Sequence, residues 1–303
     1  MISALTRRGA IAGGLALGAC ARARPANGPS VEAAPPADHP AFAAIEARIG
    51  GRVGVAAHIL DSDTWLLHRA DERFPLCSTF KWPLAAQMLY GGMLHQGFGA
   101  QRLHYSEADL LDYAPAARAN LERGWMTVDE MCEAIVVLSD NTCANILLER
   151  EAFGPEGFTR HLREVGDTQT RLDRFEPELN DVAPGDERDT TTPNAMNYLL
   201  HRLLVMPDIA LDEPSQERLI GWMLASQTGR DRLRAGFPSD WRVADKTGTW
   251  NGQYNATNDV AIAYPPTGRP IIISSYLHCS TADPAARNAA HAEIARIIAE
   301  EWG

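Results

Sequence analysis

The chain has 303 residues, 45% of them hydrophobic and 22% charged, with a formal net charge of −11 and a pI of about 5.3. That length fits one large domain or two interleaved ones, and the composition is that of a globular enzyme. The acidic balance, with no Lys/Arg cluster beyond the N-terminal segment, argues against a nucleic-acid partner.

Residues 1–22 read as an export signal. Thr6-Arg7-Arg8 is a positive head, and the apolar run 9–19 is too short to span a bilayer. Leu17-Gly18-Ala19-Cys20 has the form of a lipobox, with Cys20 as a lipid-anchor site. Ala21-Arg22-Ala23 suits ordinary cleavage instead, and the paired arginines raise a twin-arginine route. Each route places the mature protein outside the cytoplasm, in the periplasm, free or anchored through Cys20. Residues 23–40, rich in Ala and Pro, are expected to form a flexible tether.

Residues 42–49 have helical spacing and stop at Gly50-Gly51. Residues 53–60 and 64–68 read as a strand pair around the turn Asp61-Ser62-Asp63. The stretch from about 78 to 230 is mainly helical by pattern. It includes a short capped helix from Ser106, a buried helix 127–138 with a threonine cap, and a helix 142–150. Residues 174–189 form a long loop rich in Pro and charge, with Arg174 and Asp189 placed to close its neck as an ion pair. Helices are expected at 194–206 and 214–228, strands at 241–248, 259–264 and 271–277, and a last amphipathic helix at 283–302. With strands at both ends and helices between, the fold class is α/β plus all-α. An antiparallel sheet flanked by helices (41–72 and 229–303) would carry an inserted all-helical domain (73–228).

Four cysteines follow Cys20: Cys77, Cys132, Cys143 and Cys279. Export permits disulfides, but no C-x-x-C pair occurs, so free thiols and a bridge both stay open. His291-Ala292-Glu293 is not the H-E-x-x-H pattern, and neither a metal nor an organic cofactor is expected.

Ser78-Thr79-Phe80-Lys81 carries the first chemistry. Residues three apart share a helix face, which brings an amine beside a hydroxyl. A serine becomes a nucleophile when a base takes its proton, and a desolvated lysine can be that base. The structural alternative is a serine cap before an amphipathic helix. Pro83 lacks the N–H that would bond the Thr79 carbonyl, so a distortion is expected just behind the serine. Ser139-Asp140-Asn141, Glu176-Pro177-Glu178-Leu179-Asn180 and Lys246-Thr247-Gly248 follow in order.

Together these four motifs resemble the class A serine β-lactamases over about residues 40–303, and Arg174-x-Glu176-x-x-Leu179-Asn180 with Asp189 resembles that family's omega loop. The resemblance implies hydrolysis of penicillins and cephalosporins through an acyl-enzyme on Ser78, with a small-molecule β-lactam as the only partner and a monomeric enzyme. It implies Lys81 and Glu176 as proton-transfer groups, Ser139 as proton donor to the leaving nitrogen, and backbone N–H groups of Ser78 and Thr249 as the oxyanion hole. Asn141, Asn180, Lys246 and Thr247 would hold substrate or water. Asp140 reads as structural. The family's arginine on the strand after Lys246-Thr247-Gly248 has no counterpart in Asn255-Ala256-Thr257-Asn258-Asp259, and Arg232 resembles the substitute arginine of another branch. A surface arginine is the alternative there. Tyr113 matches an aromatic at the cleft entrance, with a packed core tyrosine as the alternative. Cys77 matches a cysteine that pairs, in carbapenemases of the family, with the position held here by Trp250; that bridge cannot form, and carbapenem turnover is not inferred. A penicillin-binding D,D-peptidase would share the serine, lysine and K-T-G parts but lack the glutamate loop. A β-lactam sensor would add a membrane span and a signalling module.

Overall fold

A computed structural model describes residues 38–206 and 210–302. The expected export signal, Cys20 and nearly all of the tether lie outside the described residues. The described residues begin with α1 (Pro40–Ile49), β1 (Arg52–Ile59), β2 (Trp65–His68), the short β3 (Phe74–Pro75) and α2 (Lys81–Leu94). The middle holds β4 (Arg102–His104), α3 (Pro115–Ala119), β5 (Trp125–Thr127), α4 (Val128–Glu133), α5 (Asn141–Arg150), α6 (Gly154–Val165) and β6 (Thr190–Thr191). It ends with α7 (Pro193–Leu204), α8 (Glu213–Leu224), α9 (Leu233–Gly236), β7 (Arg242–Trp250), β8 (Ala256–Tyr264), β9 (Ile271–His278) and α10 (Pro284–Trp302).

The main sheet has the order β2-β1-β9-β8-β7 and is antiparallel throughout. Strands from both ends of the chain therefore meet, with Val55 opposite Ser275. Side chains alternate across a strand. Val53, Val55 and Ala57 of β1 and Ile271, Ile273 and Leu277 of β9 pack against Phe42 and Ile45 of α1 and Ile294 and Ile298 of α10. The other face, with Ile272, Tyr276 and Val260, joins the core of the helical region. Helices on both faces explain why every residue of β9 is buried.

Helix α2 is apolar all round near its start: Trp82, Leu84, Ala85, Ala86 and Met88 are all buried. Such a helix belongs at the centre of a core, and each large buried side chain contributes about 1.5–3 kcal/mol. This anchors the segment that carries Ser78. Ser78 itself lies in a 3-10 turn, Cys77–Phe80, and the α-helix begins only at Lys81. The missing N–H of Pro83 leaves the Thr79 carbonyl without an α-type bond, in keeping with the local distortion expected behind the serine.

The helix expected at 127–138 is corrected in part. Thr127 caps it as foreseen, accepting from Glu130 N while the Glu130 carboxylate accepts from Thr127 N. The α-helix stops at Glu133, and Ala134–Leu138 form a π-helical turn ending in Ser139 with a left-handed φ of 62°. The wider turn places Ser139 on the cleft side. The reading from sequence assigned no element to α6, nor to the short α3, α9 and β3–β6.

Candidate active site

The serine turn is fixed from the sheet side. Asn258 of β8 donates through Nδ2 to the carbonyls of Pro75 (2.8 Å) and Leu76 (3.2 Å). Gly248 of β7 lies against the same segment: a Cβ there would stand 2.9 Å from the Leu76 carbonyl oxygen and 3.0 Å from Cys77 Cβ. The glycine of Lys246-Thr247-Gly248 is thus required by close approach of the strand to the serine turn.

Lys81 Nζ is fully buried and donates to Ser78 Oγ (3.0 Å), the Ser139 carbonyl (2.9 Å) and Asn141 Oδ1. It also lies 2.9 Å from Glu176 Oε1. Ser78 Oγ donates toward the same Glu176 oxygen at 3.4 Å. Asn180 Nδ2 donates to the other oxygen, Glu176 Oε2, and to the Pro177 carbonyl at 2.8 Å. The Glu176–Pro177 peptide is cis.

The long loop is clamped at several points. Arg174 Nε donates to Asp189 Oδ2 at 2.6 Å, closing the neck as expected, and Asp189 Oδ1 accepts from the backbone of Asp173 and Arg174. Asn145 holds the backbone of Glu176 from both sides: Nδ2 donates to its carbonyl and Oδ1 accepts from its N–H, each at 2.9 Å.

On the opposite wall, buried Lys246 Nζ donates to Ser139 Oγ (3.0 Å) and the Thr247 carbonyl (2.8 Å). Burial, reinforced by the Lys81 charge, holds the Lys246 ammonium well below the usual lysine value. Thr228 and Thr247 share a hydrogen bond between hydroxyls at 2.6 Å. Asp140 is structural: its carboxylate accepts from the N–H groups of Ala116, Ala117 and Cys143.

Arg232 is not on the surface. Its Nη1 donates to the carbonyls of Gly248 (2.9 Å) and Asn258 (2.7 Å), Nε to Asn288 Oδ1 (2.9 Å), and Nη2 to Thr249 Oγ1 (2.5 Å). Burial lowers its pKa. It reaches the cleft through the Thr249 hydroxyl. Tyr113 is 51% exposed at the cleft, so the core alternative is overturned.

These groups surround one cleft of about 420 Å³, lined by Ser78, Tyr113, Ser139, Asn141, Glu176 and Asn180 on one side. Pro177, Thr228, Thr247, Thr249, Trp250 and Asn251 complete the lining. The volume is that of a small-molecule site. Asn145, Thr228 and Asn251 were not singled out from sequence. Asn145 had a signal, since it stands four residues after Asn141 on α5 and shares its face. Thr228 and Asn251 had none. Cys77, Cys132, Cys143 and Cys279 are all free thiols. Burial pushes the thiol pKa of Cys77 up, which makes it a poor rival nucleophile to Ser78.

A serine hydroxyl touching both a buried lysine and a buried carboxylate, on a sheet with an inserted helical region, defines a serine-dependent hydrolase. Comparison with known proteins gives the family. Residues 40–302 match the model of the β-lactamase enzyme family. The β-lactamase AST-1 of Nocardia asteroides is 44% identical over 87% of this chain and 83% of its own. The carbapenem-hydrolyzing β-lactamase KPC of Klebsiella oxytoca is 40% identical over 86% of this chain and 88% of its own. The ancestral class A β-lactamase of Gram-negative bacteria superposes with a TM-score of 0.81 at 47% identity, covering 87% of this chain and 99% of that one. The chain belongs to the β-lactamase enzyme family, as a class A serine β-lactamase, and its activity is hydrolysis of the β-lactam ring.

Proposed function

We propose that penicillins and cephalosporins are opened by a two-step route through Ser78. Ser78 Oγ attacks the lactam carbonyl, and its proton leaves along the Lys81–Glu176 pair. The Ser78 and Thr249 N–H groups receive the developing oxyanion. The C–N bond then breaks, Ser139 gives its proton to the nitrogen with Lys246 at 3.0 Å from its hydroxyl, and the proton taken from Ser78 passes on to Ser139, so that Glu176 is again a free carboxylate before the second step. In the second step Glu176 takes a proton from a water held with Asn180, the water attacks the ester, and Ser78 regains its proton. The observation that carries this reading is the Glu176 carboxylate, with one oxygen on Lys81 and Ser78 and the other on Asn180.

Electrostatics favour an anionic substrate. Lys81, Lys246 and Arg232 are buried around the cleft; Glu176 faces Lys81, while Asp245 acts on Lys246 and, with Asp259, on Arg232. A carboxylate on the substrate would meet Lys246 and Arg232 at Thr247 and Thr249. Asn141 receives the acylamino side chain, and Tyr113 borders the entrance. To the same reading belong the export signal, with lipidation at Cys20 or ordinary cleavage at Ala21-Arg22-Ala23 as its two outcomes, and a monomeric state, with residues 41–72 and 229–303 as one lobe and 73–228 as the other. No helix among the described residues is long and apolar enough to cross a membrane.

Turnover of a chromogenic cephalosporin tests the proposal. Wild type turns over rapidly, Ser78→Ala loses turnover, and Glu176→Ala gives a single stoichiometric burst. Sustained turnover by Glu176→Ala at the wild-type rate would refute the role of that carboxylate. The mass of the exported N-terminus tests the anchor: a lipid on Cys20 supports it, and an unmodified terminus removes it.

A further inference from the structure

We infer that Trp250 and His278 are positioning residues for deacylation, acting as two ring N–H tethers that hold the omega loop against the sheet. This rests on the reading of Glu176 and Asn180 as the deacylating pair. Trp250 closes β7, and its Nε1–H donates to Asp181 Oδ1 at 3.2 Å. His278 closes β9, and its Nε2 lies 3.0 Å from the Val182 carbonyl. A carbonyl only accepts, so the hydrogen resides on Nε2. Asp181 and Val182 are consecutive, and they directly follow Asn180, whose amide holds Glu176 Oε2.

Arg174 Nη2 also donates to the Asp181 carbonyl at 3.2 Å, from within the loop. The Arg174–Asp189 pair closes the neck, and Asn145 grips the backbone at Glu176. On the far side of Asn180, the tethers connect the loop to two strands of the main sheet. Without them no hydrogen bond among the described residues ties the segment after Asn180 to the main sheet, and a shift of about 1 Å is enough to misplace a general base.

Two observations say the rings are held for this task. Gly252 lies flat against the indole: a Cβ there would stand 2.3 Å from Trp250 Nε1. The turn after β7 is thus shaped around the ring with its N–H turned to the loop. His278 is 2% exposed, and its Nδ1 has no partner among the described residues. Burying an unsatisfied acceptor is unfavourable, and an apolar side chain would avoid that cost. Stability alone does not favour a histidine here.

The test separates the two chemical steps by stopped-flow with a cephalosporin that gives a resolvable burst. Trp250→Phe keeps the bulk and removes the donor; His278→Leu does the same on β9. Each is expected to slow deacylation about fivefold, the effect of losing one ordinary hydrogen bond; in His278→Leu, whose residue does not line the cleft, acylation stays within about twofold of wild type. His278→Gln, which restores an N–H donor, recovers most of the loss. The double variant Trp250→Phe/Asp181→Ala is no slower than either single one, because both remove the same contact. Amide exchange at residues 176–182 rises in the tether variants and not in His278→Gln. Unchanged deacylation in both donor-deleted variants overturns the inference, and so does an equal fall in both steps in His278→Leu. Glu176→Ala is run alongside: if it still deacylates, the reading of Glu176 fails, independently of the tethers.

Discussion

On the proposed reading, Glu176 can act as the deacylating base because other residues leave it no freedom. Its side chain is set by Lys81 and Asn180, and its backbone by Asn145. Asn145→Ala removes both backbone bonds and is expected to cost about 1–2 kcal/mol of stability. The burst should survive and steady-state turnover should fall; thermal unfolding and burst kinetics check the two effects. Lys246 gives a pH prediction. Its depressed pKa means that the free enzyme loses the ammonium below the ordinary lysine range, so kcat/KM for a carboxylate-bearing substrate falls on the alkaline side earlier than an unperturbed lysine would give. Lys246→Arg, which stays protonated, should move that limb upward in a pH–rate profile. At this scale the sequence was most legible. Ser78, Lys81, Ser139, Glu176 and Lys246 stand in motifs whose spacing encodes the chemistry. Trp250–Asp181, Thr228–Thr247 and Arg232–Thr249 depend on contacts between distant segments, for which no local pattern exists.

At the scale of elements, the cleft is built where irregular pieces meet regular ones. The 3-10 turn Cys77–Phe80 carries Ser78, the π turn Ala134–Leu138 leads into Ser139 and the omega loop carries Glu176, while α2, α5 and β7 bring Lys81, Asn141 and Lys246 beside them. The proline at 83 signalled the first irregularity. The π turn had no signal, because Ile135-Val136-Val137 reads as one buried helix face whichever way the carbonyls are paired. Helix α6 was legible and missed: Pro155 stands in its first turn, Phe158, Leu162 and Val165 share a buried face, and Gly166 ends it with a left-handed φ of 108°. Gly248→Ala tests the contact between β7 and the serine turn. The added methyl must displace Leu76 and Cys77, so acylation should fall on the order of tenfold to a hundredfold, with the melting temperature measured alongside to separate misplacement from unfolding.

Across the whole molecule, the strands at the two ends of the chain had to find each other, and their place at both ends foretold one antiparallel sheet with the terminal helices against it; the helical core on its other face came from the structure. Strand order was not legible, because pairing is decided by packing between segments far apart in sequence. A buried carboxylate gives the sheet a pH signature. Burial lifts Asp245 to about 6 from an ordinary 3.8, against the attraction of Arg234. Between those values the folded chain binds a proton that the unfolded chain releases. Stability from this group is therefore present in acid and lost as pH rises from about 4 to about 6. Asp245→Asn should flatten that part of a denaturation-against-pH profile. The central claim, an ester on Ser78 that only a Glu176-activated water releases, is tested most directly by intact mass of Glu176→Ala after mixing with a penicillin. The account predicts a stable adduct of the full penicillin mass, mapped to the peptide containing Ser78, while wild type returns to its free mass within the mixing time. No adduct, or an adduct on any other residue, would contradict it.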